Sequence, residues 1–262
     1  MAYTFISGAT GGIGKAFSYL CAEKGYDMYL TGRSEEKLAE LKSELLGKNP
    51  DLKIRTFACD LTDEKERDLM FRDIADGDFK FDRIINVAGA DIQKPFTEYT
   101  RKKVLFQLRV NAEAAIDITH ALLPFRAEKL EIITVGSMSG VTPMPYFALY
   151  SATKSFLADF FTALKYELKG TGVKVTTVLP GGVPTRPDLV QAIEEQGLWG
   201  KLSSKPAEFV AAKAFKAVKK NRTICVPGGF NKFLYFIMKI TPKKITMRFI
   251  ARRWKNQRKD AF

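Results

Sequence analysis

Histidine is nearly absent from this 262-residue chain, with His120 alone, and cysteine is sparse, with Cys21, Cys59 and Cys225 far apart. A Ser-His-Asp hydrolase would need that histidine as its base, and a zinc site usually needs several such ligands. His120 stands in an apolar, helical-looking stretch with no cysteine or acid at ligand spacing. Both classes are set aside, and no metal site is expected. The absence of a CxxC pair or a dense cysteine framework argues against a redox motif or a disulfide scaffold and suits a reducing cytosol. Long apolar runs are missing too. The clearest near the C-terminal end, Phe233 to Met238, falls far short of the roughly 20 residues of a spanning helix. The chain opens directly in Tyr3-Thr4-Phe5-Ile6, without a charged segment and a long apolar core, so no secretory leader is expected and the expected location is cytoplasmic.

What is present is apolar material for a sizeable core, 46% of residues, which excludes a disordered or fibrous chain. Short β-branched or aromatic runs alternate with helical patterns, the signature of βαβ units and a parallel sheet. Strands are expected near 4–7, 27–31, 53–58, 83–87, 131–136, 174–179 and 223–226, with helices near 13–24, 34–47, 63–76, 98–125, 148–169 and 206–220. The expected fold is α/β: a single Rossmann-like doubly wound domain over residues 1–230, its seven-stranded parallel sheet flanked by helices. Residues 231–262 are set apart as a basic amphipathic extension. They hold ten Lys/Arg against one acid, Asp260, so most of the net charge of +13 is local to them. That distribution speaks against a nucleic-acid partner, because no aromatic RNA-binding platform accompanies the cations.

The first strand runs into Ser7-Gly8-Ala9-Thr10-Gly11-Gly12-Ile13-Gly14 and then a helix. Gly8, Gly12 and Gly14 stand where a dinucleotide pyrophosphate would dock, since a Cβ there would block the close approach of backbone to phosphate. The second strand ends at Thr31-Gly32-Arg33-Ser34, where an acid would hold the ribose hydroxyls of NAD. No acid is there. Arg33 at a helix start opposes the macrodipole unless an anion is near, and a 2′-phosphate would be that anion. The cofactor expected is therefore NADP(H), with Ser34 as a second phosphate contact.

Tyr150 and Lys154 are four apart on an expected helix and so share one face. A neighbouring ammonium would favour the phenolate and draw the Tyr150 pKa down toward working pH. Ser137 ends the fifth strand, on the side where open parallel sheets place ligands, and its hydroxyl would bond the same oxygen.

Taken together, these motifs resemble the short-chain dehydrogenase/reductase family over nearly all of residues 3–230. The segment Gly8 to Gly14, with Thr10 and Ile13, resembles its cofactor loop, and Asp60-Leu61 the pair that meets the adenine. Asn86-Val87-Ala88-Gly89 is similar to its Asn-Asn-Ala-Gly, with valine in place of a hydrogen-bonding asparagine. Asn111, Ser137, Tyr150 and Lys154 match its catalytic tetrad. Pro180-Gly181-Gly182-Val183-Pro184-Thr185 resembles its segment beside the nicotinamide. The resemblance implies that Tyr150 exchanges a proton with a carbonyl or alcohol oxygen and that Ser137 orients that oxygen. Lys154 would bind the nicotinamide ribose, and Asn111 would hold a water on the proton path or tie down its helix. It also implies a dimer or tetramer built on the helices near 98–125 and 148–169.

Leu189-Val190-Gln191-Ala192-Ile193 and Leu198-Trp199 fall where the family builds its substrate lid. Their apolar character fits a hydrophobic ketone, 3-ketoacyl or steroid-like, and equally fits a lid packed on the core. A non-catalytic family member that senses cofactor or binds a membrane surface is the alternative, against which the intact tetrad argues. In the extension, Pro242 suits a helix start, and Ile245, Phe249, Ile250 and Trp254 fall together among Lys244, Arg248, Arg252 and Arg253. That is the composition of a helix at an anionic membrane surface, here the inner face; docking on the protein itself would use the same side chains.

Overall fold

The computed structural model describes residues 2–255. Its strands are β1 (Tyr3–Ser7), β2 (Met28–Gly32), β3 (Ile54–Ala58), β4 (Phe81–Asn86), β5 (Arg126–Val135), β6 (Val173–Val178) and β7 (Ile224–Cys225). They form one sheet in the order β3-β2-β1-β4-β5-β6-β7, every neighbouring pair parallel. The order reverses between β1 and β4, and the crevice beyond their carboxyl ends is where such sheets bind ligands.

Apolar residues run continuously along the strands because both faces are covered. Phe5 and Tyr29 face one core while Ile6 and Leu30 face the other. On the Ile6 side lie α1 (Gly12–Glu23), α2 (Glu35–Lys48) and α9 (Ala207–Lys219); on the Phe5 side lie α3 (Glu64–Asp76), α5 (Ala114–Leu122) and α6 (Ala148–Glu167).

The helix expected over 98–125 is broken up. Helix α4 (Arg101–Leu108) passes into a π-helical turn, Arg109–Glu113, before α5, and β5 then starts at Arg126. Pro124 stops the helix, because proline lacks the N–H that a continuing helix needs. The wide turn places Asn111 on the inward side, fully buried, and such bulges recur at functional sites.

Two short helices, α7 (Pro187–Glu194) and α8 (Gly197–Ser203), fill the lid segment. After β7 come α10 (Gly229–Ile240) and α11 (Lys243–Trp254), the latter starting behind Pro242. Asn231 is buried at the start of α10 and donates to the Ser203 and Pro227 carbonyls, 2.9 Å each, tying α10 to the end of the lid. Ile250 of α11 is buried against Met144 and Phe147.

Candidate functional site

The glycines of the first turn are fixed by close approach. Gly8 has φ of +63°, and a Cβ on it would lie 2.9 Å from Ala88 Cα; a Cβ on Gly14 would reach the Gly8 carbonyl oxygen. Ser7 completes this corner. Its hydroxyl accepts from the Val87 and Ala88 N–H groups at 3.0 and 3.3 Å, linking β1 to the strip after β4. Thr10 reaches the end of β2, where a Cβ on Gly32 would stand 3.1 Å from its Oγ1. On Gly12 a Cβ would collide with the Thr185 side chain, so the glycine turn and the segment after β6 meet across the crevice.

The outer residues take defined places. Arg33 is exposed and has no ion-pair or hydrogen-bond partner among the described residues. The Ser34 hydroxyl caps α2, accepting from Lys37 N–H at 3.2 Å. Asp60 accepts from the Thr62 N–H and hydroxyl, and Leu61 is buried. Arg67, itself buried, pairs with Glu113 at 2.7 Å and with Asp117, and donates to the Leu61 carbonyl at 2.8 Å. Sequence reading passed over Arg67, which looks like any surface arginine of a charged helix. Asn86 donates to the Thr119 and Thr134 hydroxyls at 3.0 and 3.4 Å.

Asn111 spends its amide on the neighbouring loop. Its Oδ1 accepts from Ala90 N–H at 2.7 Å, and its Nδ2 donates to the Ala90 carbonyl and the Thr153 hydroxyl at 3.0 and 3.2 Å. Gly89 lies between Asn111 and Lys154: a Cβ there would stand 3.1 Å from the Asn111 oxygen and 3.3 Å from Lys154 Nζ. Lys154 is buried and donates to the Val135 carbonyl at 2.9 Å; burial draws its pKa down to about 8, against a smaller upward pull from Asp91. The Ser137 oxygen accepts from Ser139 N–H at 3.0 Å, and Ser137 and Tyr150 line the same cavity.

Tyr150 differs from expectation. Its pKa lies above the ordinary tyrosine range, raised first by burial and then by the Asp91 carboxylate, with Ser137 and Arg186 pulling weakly the other way. Lys154 does not draw it down, because the ammonium points to the Val135 carbonyl and sits 5.8 Å from the tyrosine ring centre. Desolvation of the phenolate outweighs the neighbouring charges.

Ser137, Tyr150, Lys154, Gly89, Ile13, Pro180, Gly181, Val183 and Thr185 line one cavity of about 550 Å³. At its edge Arg186 pairs with Asp91 at 2.9 Å and with Asp188 at 3.0 Å, joining the lid to the loop after β4. These three residues were also missed; Asp91 and Arg186 stand beside recognisable motifs but 95 positions apart, and nothing local pairs them. Much of the remaining wall is apolar and comes from far along the chain: Met144 and Phe147 before α6, Leu234 and Met238 of α10, and Phe249, Ile250 and Trp254 of α11, with Thr246 and Arg253 of α11 among them. Phe147 stacks on Tyr150, and Trp254 stacks on Phe147. Up to Trp254 the extension is thus docked on the protein, forming part of the roof of the cavity; residues 256–262 lie outside the described residues.

The short chain dehydrogenase family profile matches residues 2–196. A sulfoacetaldehyde reductase of Chromohalobacter salexigens is 32% identical over 219 residues, 80% of this chain and 85% of that protein. A very-long-chain 3-oxoacyl-CoA reductase of Pyricularia oryzae is 32% identical over 188 residues, 68% of this chain but 55% of its own length. A solved structure from work on 7β-hydroxysteroid dehydrogenase stereoselectivity superposes with a TM-score of 0.85 over 95% of this chain and 96% of that one, at 24% identity.

Proposed function

The chain belongs to the short-chain dehydrogenase family, and from that premise we propose that it exchanges a hydride between NADP(H) and a hydrophobic ketone or secondary alcohol, with Asn111, Ser137, Tyr150 and Lys154 as its working residues. The observation that carries this reading is that Ser137, Tyr150 and Lys154 come together on one cavity, Tyr150 stacked on Phe147, with a lining that is largely apolar.

The cradle fits a dinucleotide. Gly8, Gly12 and Gly14 have no room for a Cβ, which would meet Ala88, Thr185 and the Gly8 carbonyl, so the turn presents bare backbone at the α1 N-terminus, where unpaired N–H groups and the helix dipole favour a pyrophosphate. Gly89, Pro180, Gly181, Val183 and Thr185 line the cavity that holds Tyr150; Asn86 and Ala88 would support the cofactor from the strip after β4, and Asp60 with Leu61 would flank the adenine. Arg33, exposed and unpaired among the described residues, would take the 2′-phosphate. The cofactor, when bound, supplies or accepts the hydride.

The chain's own part is to hold the oxygen and move a proton. Ser137 and Tyr150 both aim hydroxyls at the substrate oxygen, and the raised Tyr150 pKa keeps that side chain protonated at neutral pH, the form that donates during ketone reduction. The Lys154 ammonium would bind ribose hydroxyls beside Gly89. Asn111 fixes the loop carrying Gly89 and Ala90, and so the spacing between cofactor and floor.

Substrate class follows from the walls. The Arg186 guanidinium is already matched by two carboxylates, which disfavours a small anion beside it, whereas Met144, Phe147, Met238 and Ile250 suit a bulky apolar ketone, 3-ketoacyl or steroid-like. Exposed Leu108 and Phe156 on α4 and α6 support a dimer or tetramer through those helices, to be read by sedimentation. No described helix is long and apolar enough to cross a membrane, and we place the enzyme in the cytoplasm, at the inner membrane face.

NADPH consumption against a series of ketones of increasing hydrophobicity tests the reading. Specificity constants should climb with apolar surface and exceed those with NADH; no consumption with any ketone would overturn it.

A further inference from the structure

Two features of the surface around α10 and α11 lie outside the reductase reading. Phe233, Phe236 and Ile240 recur at i, i+3 and i+7, share one face of α10 and are each about 60% exposed. Lys232 and Lys239 run along one flank of that face. Beyond them a second cavity, of about 470 Å³ between α9, β7 and α10, is lined by Lys213, Lys216, Lys220, Arg222 and Lys232 and by no acid. On the other flank the apolar surface continues inward: Ile237, Ile245 and Phe249 are exposed and also line the cavity that holds Tyr150. From Gly229 to Lys255 the sequence contains no acidic residue.

We infer that this face seats on an anionic phospholipid bilayer, with phosphate headgroups in the cationic cleft and acyl chains against Phe233, Phe236 and Ile240, so that the catalytic cavity opens onto the bilayer through Ile237, Ile245 and Phe249. Apolar side chains ringed by cations bind such an interface by partial burial and charge attraction together. A second copy of the chain does not suit the face, because it would set cations against cations. An acidic protein would satisfy the cleft but leave three neighbouring apolar side chains to match. The inference rests on the reductase reading only for what passes through the mouth.

Vesicle flotation of the full chain tests the seat, with pure phosphatidylcholine compared to phosphatidylcholine containing about 30% phosphatidylglycerol. Recovery should need the anionic lipid and fall several-fold in high salt, as screening predicts. It should also fall several-fold in Phe233→Ser/Phe236→Ser and in Lys216→Glu/Lys220→Glu, both of which should reduce a water-soluble ketone normally. Equal recovery of wild type and variants, no recovery with anionic vesicles, or wild-type dimers abolished by the phenylalanine changes would each overturn it.

The mouth has its own readout, since both tryptophans of the chain, Trp199 and Trp254, line the cavity. In Trp254→Phe, brominated acyl chains should quench Trp199 emission in anionic vesicles and not in neutral ones; flotation without quenching would overturn the opening onto lipid. Neither readout needs turnover, so an inactive protein that floats and is quenched would sink the reductase reading and leave the membrane seat standing.

Discussion

The ring of Phe147 lies nearly flat on that of Tyr150, with centroids 4.3 Å and planes 14° apart. Trp254 stacks on Phe147 in turn, at 5.8 Å and 22°, so the last helix reaches the proposed proton donor through a single intervening ring. Removing the indole opens the roof above the substrate and leaves the floor intact. Trp254→Ala should raise KM for a bulky ketone about tenfold, or about 1.4 kcal/mol of binding, and much less for a small one. Steady-state kinetics on a large and a small ketone read the split.

Tyr150→Phe keeps the stack on Phe147 and removes the hydroxyl proposed to donate the proton. Turnover should drop by about 10²–10⁴-fold, the usual contribution of a positioned acid. NADPH affinity, followed by fluorescence titration, should stay within about twofold, a pattern that marks a group acting in the transition state.

Lys154 carries a stability signature. Its pKa of about 8 lies below the ordinary 10.5, so below about pH 8 both folded and unfolded chains are protonated and the fold bears the full cost of a buried ammonium. Between about 8 and 10.5 the folded chain sheds the proton first, and stability rises with pH because the unfolded state binds more protons. Lys154→Met should therefore raise Tm of the cofactor-free protein at pH 7 by a few degrees, for about 1–3 kcal/mol, and flatten the alkaline rise. Scanning fluorimetry across pH 7–10.5 checks both.

The Asp91 carboxylate raises the pKa of Tyr150 and also pairs with Arg186. In Asp91→Asn the negative charge goes and the guanidinium loses one partner, and both changes favour the phenolate. Asp91 also holds the Lys154 pKa up, so losing its charge lowers both groups, and the alkaline limb of kcat/KM for ketone reduction should move to lower pH, as read from the pH–rate profile. A merely structural loosening of the lid would raise KM without moving that limb.

Arg33→Asp replaces a cation at the end of β2, unpaired among the described residues, with an anion. The ratio of kcat/KM with NADPH to that with NADH should fall at least about 100-fold, since one charge-assisted contact is lost and a repulsion is gained. An unchanged ratio would place the phosphate contact elsewhere.

The strands and the glycine turn were legible because their causes are local: continuous apolar runs such as Tyr29-Leu30-Thr31, and glycines where backbone meets backbone. Tyr150 and Lys154 were legible for the same reason, being one helical turn apart. The π-helical turn that buries Asn111 was not, because Arg109-Val110-Asn111 has an ordinary helical composition and the wide turn is set by packing against Ala90 and Thr153. Nor was the Tyr150 pKa, which depends on burial by residues distant in sequence. In the extension, Pro242 announced the start of α11. The i, i+4 and i+5 spacing of Ile245, Phe249 and Ile250 fits a helix docked on protein or lying on lipid alike, and the structure shows it doing the first with Ile250 while Phe249 stays exposed.

Part of the roof over Tyr150 comes from one stretch, α10 and α11, whereas the floor and the proposed cofactor cradle are gathered from positions scattered between β1 and the segment after β6. Much of the substrate wall is therefore written in a block of sequence that can drift, or be exchanged between related chains at the Pro227-Gly228 junction, without touching the glycine turn. Such an exchange would have to keep Asn231, which fastens α10 to the Ser203 carbonyl, and the Ile250 and Trp254 contacts with Phe147.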